Sequence, residues 1–174
     1  MRATKFNEEV LFTTDDVVKV DANDIEELKQ KARLNPRRRV RLCAHKDLDD
    51  SIHEMLIVHE KSCYVRPHKH INKMESFHIV EGKVDILLFD ENGRINNLIP
   101  MGDFASGRKF FYRLPPSCFH TLIINSEVLV FHEITNGPFN PDDTVWAPWA
   151  PDENDVEGVS QYMELIACSI KENH

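Results

Sequence analysis

The chain has 174 residues, which fits one domain of ordinary size, and its hydrophobic share of 41% is enough to fill one core. Its formal net charge of -8 argues against nucleic acid as the main partner, because binding to phosphates depends on clustered cations. The acidic Glu8 and Glu9 stand where a signal peptide needs an apolar run, so we expect a cytoplasmic protein. Every apolar run is far shorter than the roughly 18 residues of a membrane span, so we expect no membrane segment.

The first predicted element is a helix over residues 21–33. Asp21 is a suitable N-cap, and Ile25, Leu28 and Ala32 fall on one apolar stripe. Pro36 follows and ends the helix. Residues 1–35 are therefore predicted to be an N-terminal extension with one helix. Residues 17–20 of this extension are a candidate for an added strand on a second subunit.

Residues 36–151 are predicted to form an all-β domain. Short apolar or alternating segments separated by turn residues are typical of a sandwich or barrel. Asn92-Gly93 is the strongest turn signal, because this pair supplies the positive φ angles of a tight hairpin. Four phenylalanines are assigned to the core of this domain: Phe104, Phe110, Phe111 and Phe119. Residues 152–174 are predicted to be a tail with a helix near 157–170.

Two of the nine histidines, His68 and His70, are separated by one residue and therefore share one face of a strand. Glu75 opens the next apolar strand, and His120 opens a later one. Three imidazoles and one carboxylate suit zinc, iron, manganese, nickel or copper. Without a cation such a buried cluster would be costly, so we predict that these four residues bind one divalent metal ion.

Substrate-binding residues are suggested by the same alternation, which puts Tyr64 and Arg66 on the face of the two histidines. A phenol and a cation there would suit an anionic or polyhydroxylated small molecule, whereas the alternative is that Arg66 pairs with an acid at the rim. The basic run at 37–41 could bind a phosphate through its guanidinium groups, although a solvated strand end is the simpler interpretation.

The run His68-x-His70-x4-Glu75-x6-Gly82, followed by Pro115-x-Ser117-x-x-His120, resembles the two signature motifs of the cupin superfamily. The resemblance implies a double-stranded β-helix, a jelly-roll-like barrel with a metal ion near its mouth, here with a short N-terminal helix and a C-terminal helix. The family pattern has glycine at the positions of Ser62 and Ser117 and asparagine at the position of Ile124. These departures concern turns rather than the candidate ligands.

Within the cupins, the sequence resembles the WbuC type, bacterial proteins associated with gene clusters for O-antigen and other surface polysaccharides. The similarity is carried by PRRRVRLCAH at 36–45, YVRPHKH at 64–70, GPFNP at 137–141 and APWAP at 147–151. This context suggests a protein that acts on a sugar or nucleotide sugar in polysaccharide biosynthesis, with the metal polarising a substrate oxygen. Since cupins are often dimers, we also expect a homodimer.

The type of activity stays open. One hypothesis is a metal-dependent isomerase or epimerase. A second is an enzyme like the non-haem iron dioxygenases, since histidine and carboxylate ligands also suit iron. A third is a small-molecule-binding module without catalysis.

Overall fold

The computed structural model describes residues 1–172 and consists of two β-sheets and two α-helices. In chain order, the elements are β1 (Ala3–Lys5), β2 (Val10–Thr13), α1 (Ala22–Leu34), β3 (Arg39–Cys43), β4 (Ile52–Glu60), β5 (His68–His70), β6 (Glu75–Glu81), β7 (Lys83–Phe89), β8 (Ile95–Gly102), β9 (Phe111–Leu114), β10 (Phe119–Ile124), β11 (Val128–Asn136), β12 (Thr144–Trp146) and α2 (Val156–Glu172). Neither helix is long and apolar enough to cross a membrane within these residues.

The larger sheet has seven strands in the order β1-β2-β3-β4-β11-β6-β9, and the smaller has five in the order β12-β5-β10-β7-β8. Neighbouring strands are antiparallel, except for β2 and β3, which are parallel. Alternation along the strands directs one face of each sheet into a shared core, where Ile57, Phe77 and Phe131 of the larger sheet join Ile86 and Leu122 of the smaller. The predicted all-β jelly-roll fold is confirmed, as two packed sheets with one helix at each end of the chain.

Helix α1 begins as predicted. The Asp21 side chain accepts hydrogen bonds from the backbone N–H groups of Asn23 and Asp24, and the Asp24 side chain accepts one from the N–H of Asp21. The buried Leu28 and Ala32 pack against the outer face of the larger sheet. The predicted helix and its cap are therefore confirmed.

Helix α2 covers the outer face of the smaller sheet. Its Ile166 is buried beside Phe89 and Phe119, together with Ala147 and Ala150 from the proline-rich segment. Helix α2 thus covers the outer face of β10, and His120 lies on the inner face of the same strand.

Residues 17–20 form no strand within this chain, whose larger sheet is extended by β1 and β2, and their addition to a second subunit stays a prediction. Two predictions about the fold need correction. In the turn after β7 only Gly93 has a positive φ angle, 83°, because the connection runs from Asp90 to Arg94 and is longer than a two-residue hairpin. Of the four phenylalanines assigned to the core, only Phe119 is buried. Phe104 is 79% exposed, Phe110 39% and Phe111 55%. The division at residues 35 and 151 stays a prediction.

Candidate metal centre

The four predicted ligands meet between the two sheets. His68 and His70 lie on β5, and His120 is the cross-strand partner of His68 on β10. Glu75 is the first residue of β6 and approaches from the larger sheet. Each residue offers one ligand atom, and these four atoms lie within 4.8 Å of one another. The group is therefore compact enough to hold one metal ion.

Backbone carbonyl groups orient two of the three imidazoles. Nδ1 of His68 lies 2.8 Å from the carbonyl oxygen of Arg66, and Nδ1 of His120 lies 3.1 Å from that of Cys118. A carbonyl oxygen only accepts, so each Nδ1 must donate a proton and each Nε2 of a neutral ring carries the lone pair. Metal-binding histidines are commonly fixed in this way.

The third imidazole and the carboxylate complete the arrangement. Nδ1 of His70 lies 3.1 Å from the hydroxyl of Thr144, and its Nε2 lies 3.2 Å from a carboxylate oxygen of Glu75. Nε2 of His120 lies 3.5 Å from the other carboxylate oxygen and has no hydrogen-bond partner among residues 1–172, although it is buried. A metal ion placed among these atoms would accept the lone pair of His120, so the residues fit such an ion.

The electrostatics of the cluster favour a positive charge at its centre. Burial and then the nearby His120 lower the pKa of His68 to about 3, so this ring is neutral. Burial by itself would raise the pKa of Glu75, but the charge of His120 and the close contacts with the imidazoles of His120 and His70 outweigh it and hold the pKa below its usual value. Despite the opposing effect of burial, the Glu75 carboxylate raises the pKa of His120. A proton or a metal ion can supply the charge.

Tyr64 and Arg66 precede β5 and contact the C-terminal part of the chain. The Tyr64 hydroxyl donates to the carbonyl oxygen of Pro151 at 3.1 Å. The Arg66 guanidinium forms a 2.8 Å ion pair with Asp152 and lies 5.7 Å from the ring of Trp146, which is next to His68. The ion pair corresponds to the alternative considered for Arg66. Direct contact of either residue with a substrate stays a prediction.

The motifs give no hint of three polar residues on the inner face of the larger sheet. Thr135 is the cross-strand partner of Glu75, and Glu133 and Tyr112 flank Phe77 on the two neighbouring strands. Burial and then the charge of Glu75 raise the pKa of Glu133 to about 8. One sequence signal could have indicated two of them, Glu133 and Thr135: residues 129 and 131 are apolar, and the same alternation continues to 133 and 135, where it becomes polar.

Comparison of the sequence with protein families gives a partial match. The family model "Domain of unknown function (DUF6016)" matches residues 20–101, less than half of the chain. No curated protein shows significant similarity to the sequence.

Similar solved structures differ widely from this chain in sequence. The protein SO0799 of Shewanella oneidensis has a TM-score of 0.51 and 13% identity, over 71% of this chain and 77% of that one. Oxalate decarboxylase of Bacillus subtilis, reported with Mn(II) centres, has a TM-score of 0.45 and 20% identity, over 56% of this chain and 24% of that one. The Cnp3 cupin domain of Schizosaccharomyces pombe has a TM-score of 0.45 and 11% identity, over 57% of this chain and 64% of that one. The strand order and the likeness to the Shewanella protein thus support a jelly-roll fold of two packed sheets for this chain.

Proposed function

We propose that His68, His70, Glu75 and His120 bind one divalent metal ion and that the centre so formed acts on a small molecule. The observation that carries the proposal is the buried Nε2 of His120, which has no hydrogen-bond partner in the described chain and faces a carboxylate and two more imidazoles. A bound ion would act as a Lewis acid on a substrate oxygen. Zinc, iron, manganese and nickel all accept this set of ligands.

We further propose that the substrate is a sugar or nucleotide sugar of bacterial surface polysaccharide biosynthesis and that the protein works as a cytoplasmic homodimer. The support is the similarity of four sequence segments to the WbuC-type cupins. One contact agrees with a sugar ligand: Trp146 is 51% exposed and its ring lies 5.4 Å from that of His68, so it offers a stacking surface beside the cluster.

Metal analysis of protein purified without a polyhistidine tag tests the ligand set. We expect one ion per chain in the wild type and loss of the ion in the double variant His68→Ala/His70→Ala. A matched control is His78→Ala/His132→Ala, because these two histidines are cross-strand partners in the larger sheet, with His78 exposed three residues beyond Glu75. The control should keep its metal. Full metal content in the His68→Ala/His70→Ala variant would refute the assignment.

Oxygen uptake and product analysis then distinguish the types of activity. Zinc or nickel, no oxygen uptake, and conversion of a nucleotide sugar would support an isomerase or epimerase. Iron with oxygen consumption would instead indicate a dioxygenase-like enzyme. Stabilisation by nucleotide sugars without any product would indicate a binding module.

A further inference from the structure

Arg41 differs from the other arginines of the basic run at 37–41. Arg37 and Arg39 both form ion pairs with Glu9, at 3.0 and 2.8 Å, and Arg38 donates to the carbonyl oxygen of Arg33. Arg41 has no carboxylate within 4.0 Å in the part of the chain that the structure describes, and its guanidinium lies 4.0 Å from the sulfur atom of Met55. Arg41 interacts with Glu133 only at longer range, and a half-buried cation without a counter-ion in contact is unfavourable unless it binds something else.

The side chain of Arg41 lies on the face of the larger sheet that also carries Glu75. Its neighbours Val40 and Leu42 pack beneath α1 on the outer face, so Arg41 points to the opposite side, towards the smaller sheet. The contact with Met55 agrees with this direction, because Met55 belongs to the core between the sheets. Met55 is in turn the cross-strand partner of Glu133. Arg41 and the candidate metal centre therefore belong to one interior surface.

Two hydroxyl groups on this surface are buried without a hydrogen-bond partner among the described residues: those of Tyr112 and Thr135. Thr135 stands directly beside Glu75 in the sheet, and the Tyr112 ring packs edge-on against Phe77, two residues further along the same strand. Buried hydroxyl groups are nearly always paired, so two unpaired ones beside the candidate metal ligands suggest that a ligand pairs with them.

We propose that Arg41, Tyr112 and Thr135 form the substrate-binding surface of the centre and take a small molecule that carries an oxyanion group. The guanidinium binds the oxyanion, and the two hydroxyls bind further oxygen atoms of the ligand. This inference rests on the proposed metal site, because a divalent ion next to Glu75 leaves the surface with a net positive charge that attracts an anion. A phosphate and a carboxylate share this chemistry.

Calorimetric titration of the metal-loaded protein tests the charge preference with four probes: UDP-glucose, glucose 1-phosphate, gluconate and neutral glucose. We expect at least one of the three anions to bind tenfold or more tightly than glucose, and the preferred anion tells phosphate from carboxylate. Arg41→Met should weaken the binding of that anion at least tenfold while the affinity for glucose and the metal content stay unchanged. Equal binding of anions by Arg41→Met and the wild type, or no anion binding by the wild type, would overturn the proposal.

The two hydroxyls are tested by removing only the oxygen atom, in Tyr112→Phe and Thr135→Val. If the hydroxyls serve the ligand, both variants should have a higher melting temperature without ligand and should bind the preferred anion at least tenfold more weakly. A purely structural role would lower the melting temperature and leave binding intact. Tyr162→Phe is the matched control, because the Tyr162 hydroxyl is also buried and unpaired but packs behind the smaller sheet, so its loss should leave binding unchanged.

The failure of this inference and the failure of the metal site are distinguishable. If tag-free wild-type protein holds no metal, the proposed function fails. The dependence of anion binding on Arg41, measured in the same metal-free protein, still decides whether this surface binds an oxyanion.

Discussion

At the scale of single residues, His59 is a buried histidine with no part in the candidate metal centre. It is 8% exposed, its ring packs edge-on against Phe131, and its Nδ1 has no hydrogen-bond partner in residues 1–172. Burial and then the charge of Arg41 lower its pKa to about 3. His59 is therefore neutral in the folded protein at any pH where an unfolded chain would begin to protonate it.

This histidine should make the folded protein sensitive to acid. Its folded pKa lies below the unfolded value of about 6.5, so below that pH the unfolded chain binds a proton that the folded protein does not. The free energy of unfolding is therefore unaffected by His59 above pH 6.5 and falls as the pH drops towards 3, by up to about 1.4 kcal/mol per pH unit. We expect His59→Phe to flatten the fall of the unfolding free energy between pH 6.5 and 4, measured by urea denaturation. Equal slopes for the variant and the wild type would contradict the assignment.

The candidate ligands also show which features a sequence reveals at this scale. The spacing of His68 and His70, and the position of Glu75 and His120 at the start of apolar runs, predicted that the four side chains would meet, and they lie together. The orientation of the imidazoles could not be predicted. Two of the imidazoles are oriented by backbone carbonyl oxygens. Every residue has such an oxygen, so the sequence does not show which of them contacts an imidazole.

At the scale of elements, the turn between β6 and β7 depends on Gly82. Its φ angle is +96°, and an added Cβ atom would lie 2.3 Å from the carbonyl oxygen of Val128. Gly82 is the glycine of the first cupin-like motif, and the turn joins the strand of Glu75 to the smaller sheet. The motif glycine thus has a physical reason here, namely a left-handed backbone in contact with another strand.

We expect Gly82→Ala to lower the free energy of unfolding by roughly 2–5 kcal/mol, from the left-handed conformation and the steric clash together. Gly107→Ala is the matched control. Gly107 also has a positive φ angle, +70°, but nothing lies within 4 Å of its added Cβ, so only the conformational cost of about 1–2 kcal/mol applies. Chemical denaturation of both variants measures the difference, and equal losses would show that the contact with Val128 is unimportant.

Apolar periodicity predicted the strands better than it predicted which side chains are buried. Phe119 lies on β10, in the middle of the smaller sheet, and is covered by α2. Phe111 lies on β9, at the edge of the larger sheet, and is 55% exposed. The sequence shows that both positions are apolar, but the place of a strand within its sheet depends on long-range pairing that local pattern does not contain.

At the scale of the whole molecule, the candidate metal centre joins the two sheets. His68, His70 and His120 belong to the smaller sheet and Glu75 to the larger. Elsewhere the sheets are held together by the apolar side chains of their shared core. A bound ion would add a direct link between them. The unfolded chain does not hold the same four ligands together, because His120 is far along the sequence from the other three.

Metal binding should therefore stabilise the fold by mass action. At a free metal concentration one hundred times the dissociation constant, the free energy of unfolding should rise by about 2.7 kcal/mol, and a chelator should reverse the gain. The rise should disappear in His68→Ala/His70→Ala and persist in His78→Ala/His132→Ala. Urea denaturation with and without metal measures all three proteins. An equal gain in the His68→Ala/His70→Ala variant would mean that the ion binds elsewhere and that the two sheets are not linked through Glu75.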